Sequence, residues 1–127
     1  METTITRGIR ISVEVFYQPN FGEGVSKHVF AYRISIENQN NFTVQLLYRH
    51  WNIIYADGST RDVKGPGVVG EQPVLKPKAM HRYVSGCHLP TELGKMYGTY
   101  LMKNLEDDTE FTVNIPPFTM VVPYLLN

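Results

Sequence analysis

Val63 to Gly86 reads V-K-G-P-G-V-V-G-E-Q-P-V-L-K-P-K-A-M-H-R-Y-V-S-G, and the way it is read decides the fold. Gly65, Gly67 and Gly70 spell G-x-G-x-x-G. In a dinucleotide-binding unit that pattern leaves a strand and opens a helix, whose first amides hold the pyrophosphate. Here Glu71-Gln72-Pro73 and then Pro77 follow, so the helix is excluded. The glycines are read instead as positive-φ turn residues and a bulge joining two strands, which turns the chain away from an α/β fold.

Outward from that loop the chain alternates. From Arg7 to Tyr17, Ile9, Ile11, Val13, Val15 and Tyr17 alternate with Arg10, Ser12, Glu14 and Phe16, and from His28 to Asn38, Phe30, Tyr32, Ile34 and Ile36 alternate with Ala31, Arg33, Ser35 and Glu37. Period two marks half-buried strands. A turn-rich gap of Pro19, Asn20, Gly22 and Gly24 separates them, and Asn38 to Asn41 reads as a loop tip. Thr43 to Ala56 is a longer β-rich run that ends in the hairpin signal Asp57-Gly58. Strict alternation there places Arg49, Trp51 and Ile53 with Leu47 on one face, and His50 with Leu46 and Tyr48 on the other. Beyond the loop, strands are expected at Met80 to Ser85, Lys95 to Lys103 and Thr109 to Ile115. Pro116-Pro117 is expected to end the last of these, and Phe118 to Leu126 to add an edge strand. The expected fold is an all-β, immunoglobulin- or fibronectin type III-like antiparallel sandwich of seven to eight strands, with residues 1–127 as one domain.

Composition narrows the function. The chain has 127 residues, 43% of them apolar, enough for one core without a metal or disulfide. Twelve basic residues balance twelve acidic ones, and the nearest approach to a basic stripe is Lys76, Lys78 and Arg82 beside Tyr83, so nucleic acid is not an expected partner. Cys87 is the sole cysteine, which fits a reducing, cytoplasmic address. Met1 to Val15 lacks a basic start and an apolar centre, and Phe118 to Leu126 is short and interrupted by Pro123, so neither export nor membrane insertion is expected.

No catalytic constellation is found. Ser85-Gly86 is not a nucleophile elbow, adjacent Cys87 and His88 point apart in an extended chain, and no carboxylate pair is spaced for acid–base work. Cys87, His88, His81, His28 and His50 supply ligand types that suit cobalt or zinc, but not at a metal-site spacing, so no metal and no cofactor are expected. Two features carry a binding reading. The loop residues Lys64, Gly65, Gly67, Val68, Val69, Gly70 and Glu71 can form an anion nest for phosphate or pyrophosphate without a helix. Arg49, His50 and Trp51 form its support: Trp51 as core packing, Arg49 and His50 each hydrogen-bonded to the backbone of a neighbouring loop, and, as the sharper alternative, Arg49 paired with Glu71 to fix the loop.

V-Q-L-L-Y-R-H-W (Val44 to Trp51), V-K-G-P-G-V-V-G-E-Q-P-V-L (Val63 to Leu75), S-G-C-H-L-P-T-E-L-G-K-M-Y-G-T-Y-L-M (Ser85 to Met102) and I-P-P-F (Ile115 to Phe118) together resemble the ApaG family of small bacterial proteins. The resemblance implies a β-sandwich, no established enzymatic activity, and a link in some bacteria to cobalt and magnesium homeostasis. It further implies relatives inside larger eukaryotic proteins that resemble protein-interaction modules. The family usually has Gly-Glu after the second proline of the loop, whereas Lys78-Ala79 stand here, so no role resting on that carboxylate is carried over. The leading expectation is a non-enzymatic module that binds an unidentified protein partner, with eight tyrosines suited to an interface. Phosphate or pyrophosphate binding at Gly65–Gly70 is the alternative, and a homodimer through a sheet edge is compatible with either.

Overall fold

The computed structural model describes residues 1–19 and 28–126, so the turn-rich gap at Asn20, Gly22 and Gly24 lies outside the described residues. Among the described residues, nine strands form two antiparallel sheets. They are β1 (Glu2–Thr6), β2 (Ile9–Tyr17), β3 (His28–Asn38), β4 (Val44–Tyr55), β5 (Thr60–Pro66), β6 (Val74–Leu75), β7 (Met80–Leu89), β8 (Leu93–Asn104) and β9 (Glu110–Val121). One sheet has the order β1-β2-β3-β7; the other has β5-β4-β8-β9, with β6 also paired to β4. This is the expected sandwich, with β2-β3-β7 facing β5-β4-β8-β9 as in fibronectin type III domains and β1 added to the first sheet.

The alternating residues fill the space between the sheets. Ile9, Ile11, Val13, Phe30, Ile34 and Ile36 from one side meet Leu46, Tyr100, Met102, Val113, Ile115 and Met120 from the other, all essentially inaccessible. Tyr32, Trp51 and Phe118 pack together with ring centroids 5.6 to 5.9 Å apart, Trp51 edge-to-face with each of the others and Tyr32 tilted against Phe118, which adds to area burial. Trp51 is the packing residue the sequence suggests. Asn38 is the buried polar residue among the described core: its Nδ2 donates to Phe42 O at 2.8 Å and Leu75 O at 3.0 Å, pinning the end of β3 to β6 of the opposite sheet.

Four expectations are corrected. Arg7 and Gly8 are not in a strand; both take positive φ (52° and 76°) and form the β1–β2 turn. Thr60–Pro66 is a strand and not part of the loop, closing the hairpin signalled by Asp57-Gly58. Pro116-Pro117 does not end its strand: β9 runs through both prolines at a bulge against β8, on the sheet edge where missing amide donors are harmless, and Pro123–Leu126 is a 3-10 turn. Finally, the register of β4 against β8 slips between Leu46 and Tyr48. That bulge breaks strict alternation, so Val44 and Leu46 face the core together with Arg49, Trp51 and Ile53.

Candidate functional site

The bulge at Leu47 is where the glycine loop is attached. β5 pairs with β4 as far as Tyr48↔Pro66 and β6 resumes pairing at Gln45↔Val74, so residues 67–73 are an excursion opposite the bulge. The Gly67 amide donates to Leu47 O at 3.0 Å, Gln72 Nε2 donates to the same oxygen at 2.9 Å, and the Leu46 amide donates to Pro73 O at 3.0 Å. Within the excursion Val68 and Glu71 exchange amide–carbonyl bonds of 2.7 and 3.0 Å across a tight turn at Val69 (φ 46°) and Gly70 (φ 77°). Both central residues have positive φ, the signature of a type I′ turn. A β-branched residue in that region is strained, and Val69 is also 62% exposed.

Arg49 does hold this loop, but not through Glu71. Its Nη1 donates to Pro66 O at 3.0 Å and Gly67 O at 3.1 Å, and the guanidinium lies over Gly65, where a Cβ would sit 3.0 Å from Nη1 and Nη2. Glu71 instead reaches β7, its Oε2 3.6 Å from Nε2 of His81. The arginine-to-backbone expectation therefore holds, and the alternative Arg49–Glu71 pair does not form, because Glu71 turns to His81. His50 points to the opposite face of β4, 3.5 Å from Asp62.

Because β5 and β7 are edge strands of different sheets, the sandwich is open along the flank between them. A cleft of about 520 Å³ occupies that flank. In-register neighbours on the inner face build one wall: Arg49 beside Gly65, Trp51 beside Val63, and Ile53 between Arg61 and Met96. Tyr32, Tyr83, Ser85, Gly86, Cys87 and His88 build the other, and Val68 and Val69 close one end. Two arginines and a histidine line the cleft, and no carboxylate does. Burial raises the Tyr32 and Tyr83 hydroxyls and the neighbouring Tyr100 above the ordinary tyrosine range, with the Arg49 charge opposing each rise; the Tyr83 and Tyr100 hydroxyls are hydrogen-bonded to each other. Burial likewise pushes the Cys87 thiol up to about 11, which makes it a poor nucleophile at neutral pH.

Of the sequence-derived site residues, the cleft gathers Val68, Val69, Arg49 and Trp51. Gly65, Gly67, Gly70 and Glu71 shape the loop behind its rim, and Lys64 is exposed on β5 beside His50. Arg61, Tyr83, Ser85 and His88 were missed as site residues; reading Thr60–Pro66 as a strand would have put Arg61, Val63 and Gly65 on one face. As an anion nest the loop is poorly equipped, since the amides of Gly67, Val68 and Glu71 already serve backbone carbonyls. Among the described residues no three of His, Cys, Asp and Glu converge as metal ligands, and no helix is long and apolar enough to cross a membrane.

Residues 20–104 match the family model of the ApaG domain. The chain is 46% identical over 124 residues to Protein ApaG of Brucella suis biovar 1 (strain 1330), covering 97% of this chain and 95% of that one. Protein ApaG of Paramagnetospirillum magneticum (strain ATCC 700264 / AMB-1) is 46% identical over 125 residues, 98% of this chain and 95% of its own length. An X-ray structure of a Northeast Structural Genomics Consortium target is similar with a TM-score of 0.88 at 38% identity, covering 98% of this chain and 94% of that chain.

Proposed function

Because the chain belongs to the ApaG domain family, we propose that it is a non-enzymatic binding module whose working surface is the β5–β7 cleft and whose occupant is a segment of a partner protein. The observation that carries this reading is the cleft itself: about 520 Å³ within the sandwich flank, bordered by two strands whose outer edges are unpaired among the described residues, and closed by the exposed, strained Val69. Edge strands offer rows of free backbone groups that an extended segment can pair with. Strain kept at an exposed apolar rim residue is the kind of feature that binding surfaces retain. Residues 1–127 act as one domain in this reading, because β1, β2 and β9 all lie outside the matched span and yet complete the two sheets.

The cobalt and magnesium association of the family is assigned to that partner and not to metal held here. A cytoplasmic setting is supported by the lone, buried Cys87. Phosphate or pyrophosphate at Gly65–Gly70 is the weaker reading, since three loop amides are engaged internally. Pairing with a second copy along β7 is the competing use of the same edge. A photo-crosslinking side chain placed at Val69 and, as control, at Thr112 on the outer face of β9 tests the proposal in cells. Adducts to another protein from position 69 alone are expected; equal adducts from both positions, adducts only to a second copy, or none would refute it.

A further inference from the structure

We propose that the partner segment is acidic: an extended peptide that lies along the free edge of β7 and sends a carboxylate into the cleft between Arg49 and Arg61, with an aromatic or aliphatic neighbour over Trp51. This rests on the proposal that the occupant is a protein segment. Four observations carry it.

The charge in the cleft is unopposed. Arg49 and Arg61 both line it without a carboxylate, and neither is in an ion pair among the described residues. Of the arginines and lysines among the described residues, only Arg33 with Glu14 at 2.8 Å and Lys103 with Asp108 at 3.5 Å are ion-paired, so what singles out Arg49 and Arg61 is that they share one cleft free of carboxylates in a chain of zero net charge. The positive cleft is therefore a local surplus and not the overflow of a basic protein. Complementary charge of this kind selects partners and speeds encounter.

Arg49 is pre-set. With Nη1 held by Pro66 O and Gly67 O and the guanidinium laid on Gly65, its plane is fixed while its other donors remain for a ligand. A planar fork that is already ordered loses little entropy on meeting a carboxylate. The glycine loop thereby acts on an anion at one remove, by orienting an arginine and not by offering amides.

The rest of the wall is neutral and partly aromatic. Ser85 and Tyr32 add hydroxyls, and burial keeps Tyr32 and Tyr83 protonated, so no tyrosinate cancels the arginines. Trp51, Met96 and Ile53 supply an apolar floor.

The geometry suits a chain better than a free acid. β7 extends over ten residues, paired on one side to β3 along its length and lying at the sheet edge on the other. A strand added there would direct alternate side chains towards the cleft.

The test uses the full-length protein, immobilised, and a randomised library of acetylated, amidated hexapeptides, with the composition of the retained pool compared with the input. Asp and Glu are expected to be enriched next to aromatic or aliphatic residues. Peptides from that pool, titrated while Trp51 emission is followed, are expected to bind roughly five- to tenfold more weakly to Arg61→Gln. Arg61 is exposed, so this variant folds even if Arg49→Gln does not. A retained pool without acidic enrichment overturns this inference and leaves the partner-segment reading standing. A pool identical to the input overturns both. Acidic peptides that bind Arg61→Gln unchanged, or sodium benzoate that displaces them at equal concentration, also overturn it, the first by moving the site and the second by making the occupant a free acid.

Discussion

Replacing Gly67 by alanine separates a glycine that shapes the loop from one that merely turns it. Gly67 and Gly70 both have positive φ, 64° and 77°, so an alanine at either costs on the order of 1 kcal/mol in backbone strain. At Gly70 the new Cβ meets nothing within 4 Å, and strain is the whole cost. At Gly67 it would sit 2.0 Å from Glu71 O and 2.8 Å from Glu71 C, both backbone atoms that can yield only if the turn opens. Opening it loses the two Val68–Glu71 hydrogen bonds, each worth about 1 kcal/mol. Gly67→Ala is therefore expected to destabilise by about 3 kcal/mol and Gly70→Ala by about 1 kcal/mol. In urea unfolding with a slope near 2 kcal/mol/M, the midpoints should fall by roughly 1.5 M and 0.5 M. Equal shifts for the two variants would refute the view that Gly67 is required by a close backbone approach.

Other consequences are as direct. Asn38→Ala removes the donor of Phe42 O and Leu75 O inside the core and should cost about 3 kcal/mol by the same unfolding measurement; a loss under 1 kcal/mol would mean that water replaces the amide. In a double-mutant cycle, Arg49→Lys and Glu71→Gln should be additive, whereas Glu71→Gln and His81→Asn should couple by up to about 0.5 kcal/mol. Alkaline stability follows from the raised groups. Their protons are held more tightly folded than unfolded, so stability is intact below the unfolded values, near 9.0 for Cys87 and 10.0 for Tyr32, Tyr83 and Tyr100, and falls as the pH climbs past them, for Cys87 between 9.0 and about 11. Tyrosinate absorbance should accordingly show three of the eight tyrosines titrating only with loss of the β signal by circular dichroism.

What could be read from the residues, and what could not, follows from how each element meets solvent. β2 and β3 each bury one face and wet the other, so Ile9 to Tyr17 and Phe30 to Ile36 announce themselves by period two. β4 lies inside its sheet with apolar residues on both faces, so the extra residue at Leu47 leaves no trace in the pattern. β1 is an edge strand whose one apolar side chain, Ile5, is 59% exposed, and β5 is charged, T-R-D-V-K; neither carries a core signal. The prolines of Val63–Gly86 were decisive because their effect is local. The cleft was hidden because Arg61 and Ser85 come together only when the two sheets stack. The Arg49–Glu71 pairing failed for the same reason: Arg49 on β4 does reach the loop, but the Glu71 carboxylate is turned towards β7.

The central claim is that the β5–β7 cleft, and not the glycine loop, is where this protein binds. Backbone amide shifts recorded during separate titrations with the selected acidic peptides and with sodium pyrophosphate test it most directly. The account predicts that the peptides move the amides of Arg61, Val63, Val69 and Ser85 to His88, and that pyrophosphate moves none of them. Shifts confined to Gly65 through Glu71 on adding pyrophosphate, with the cleft unmoved by peptide, would contradict it.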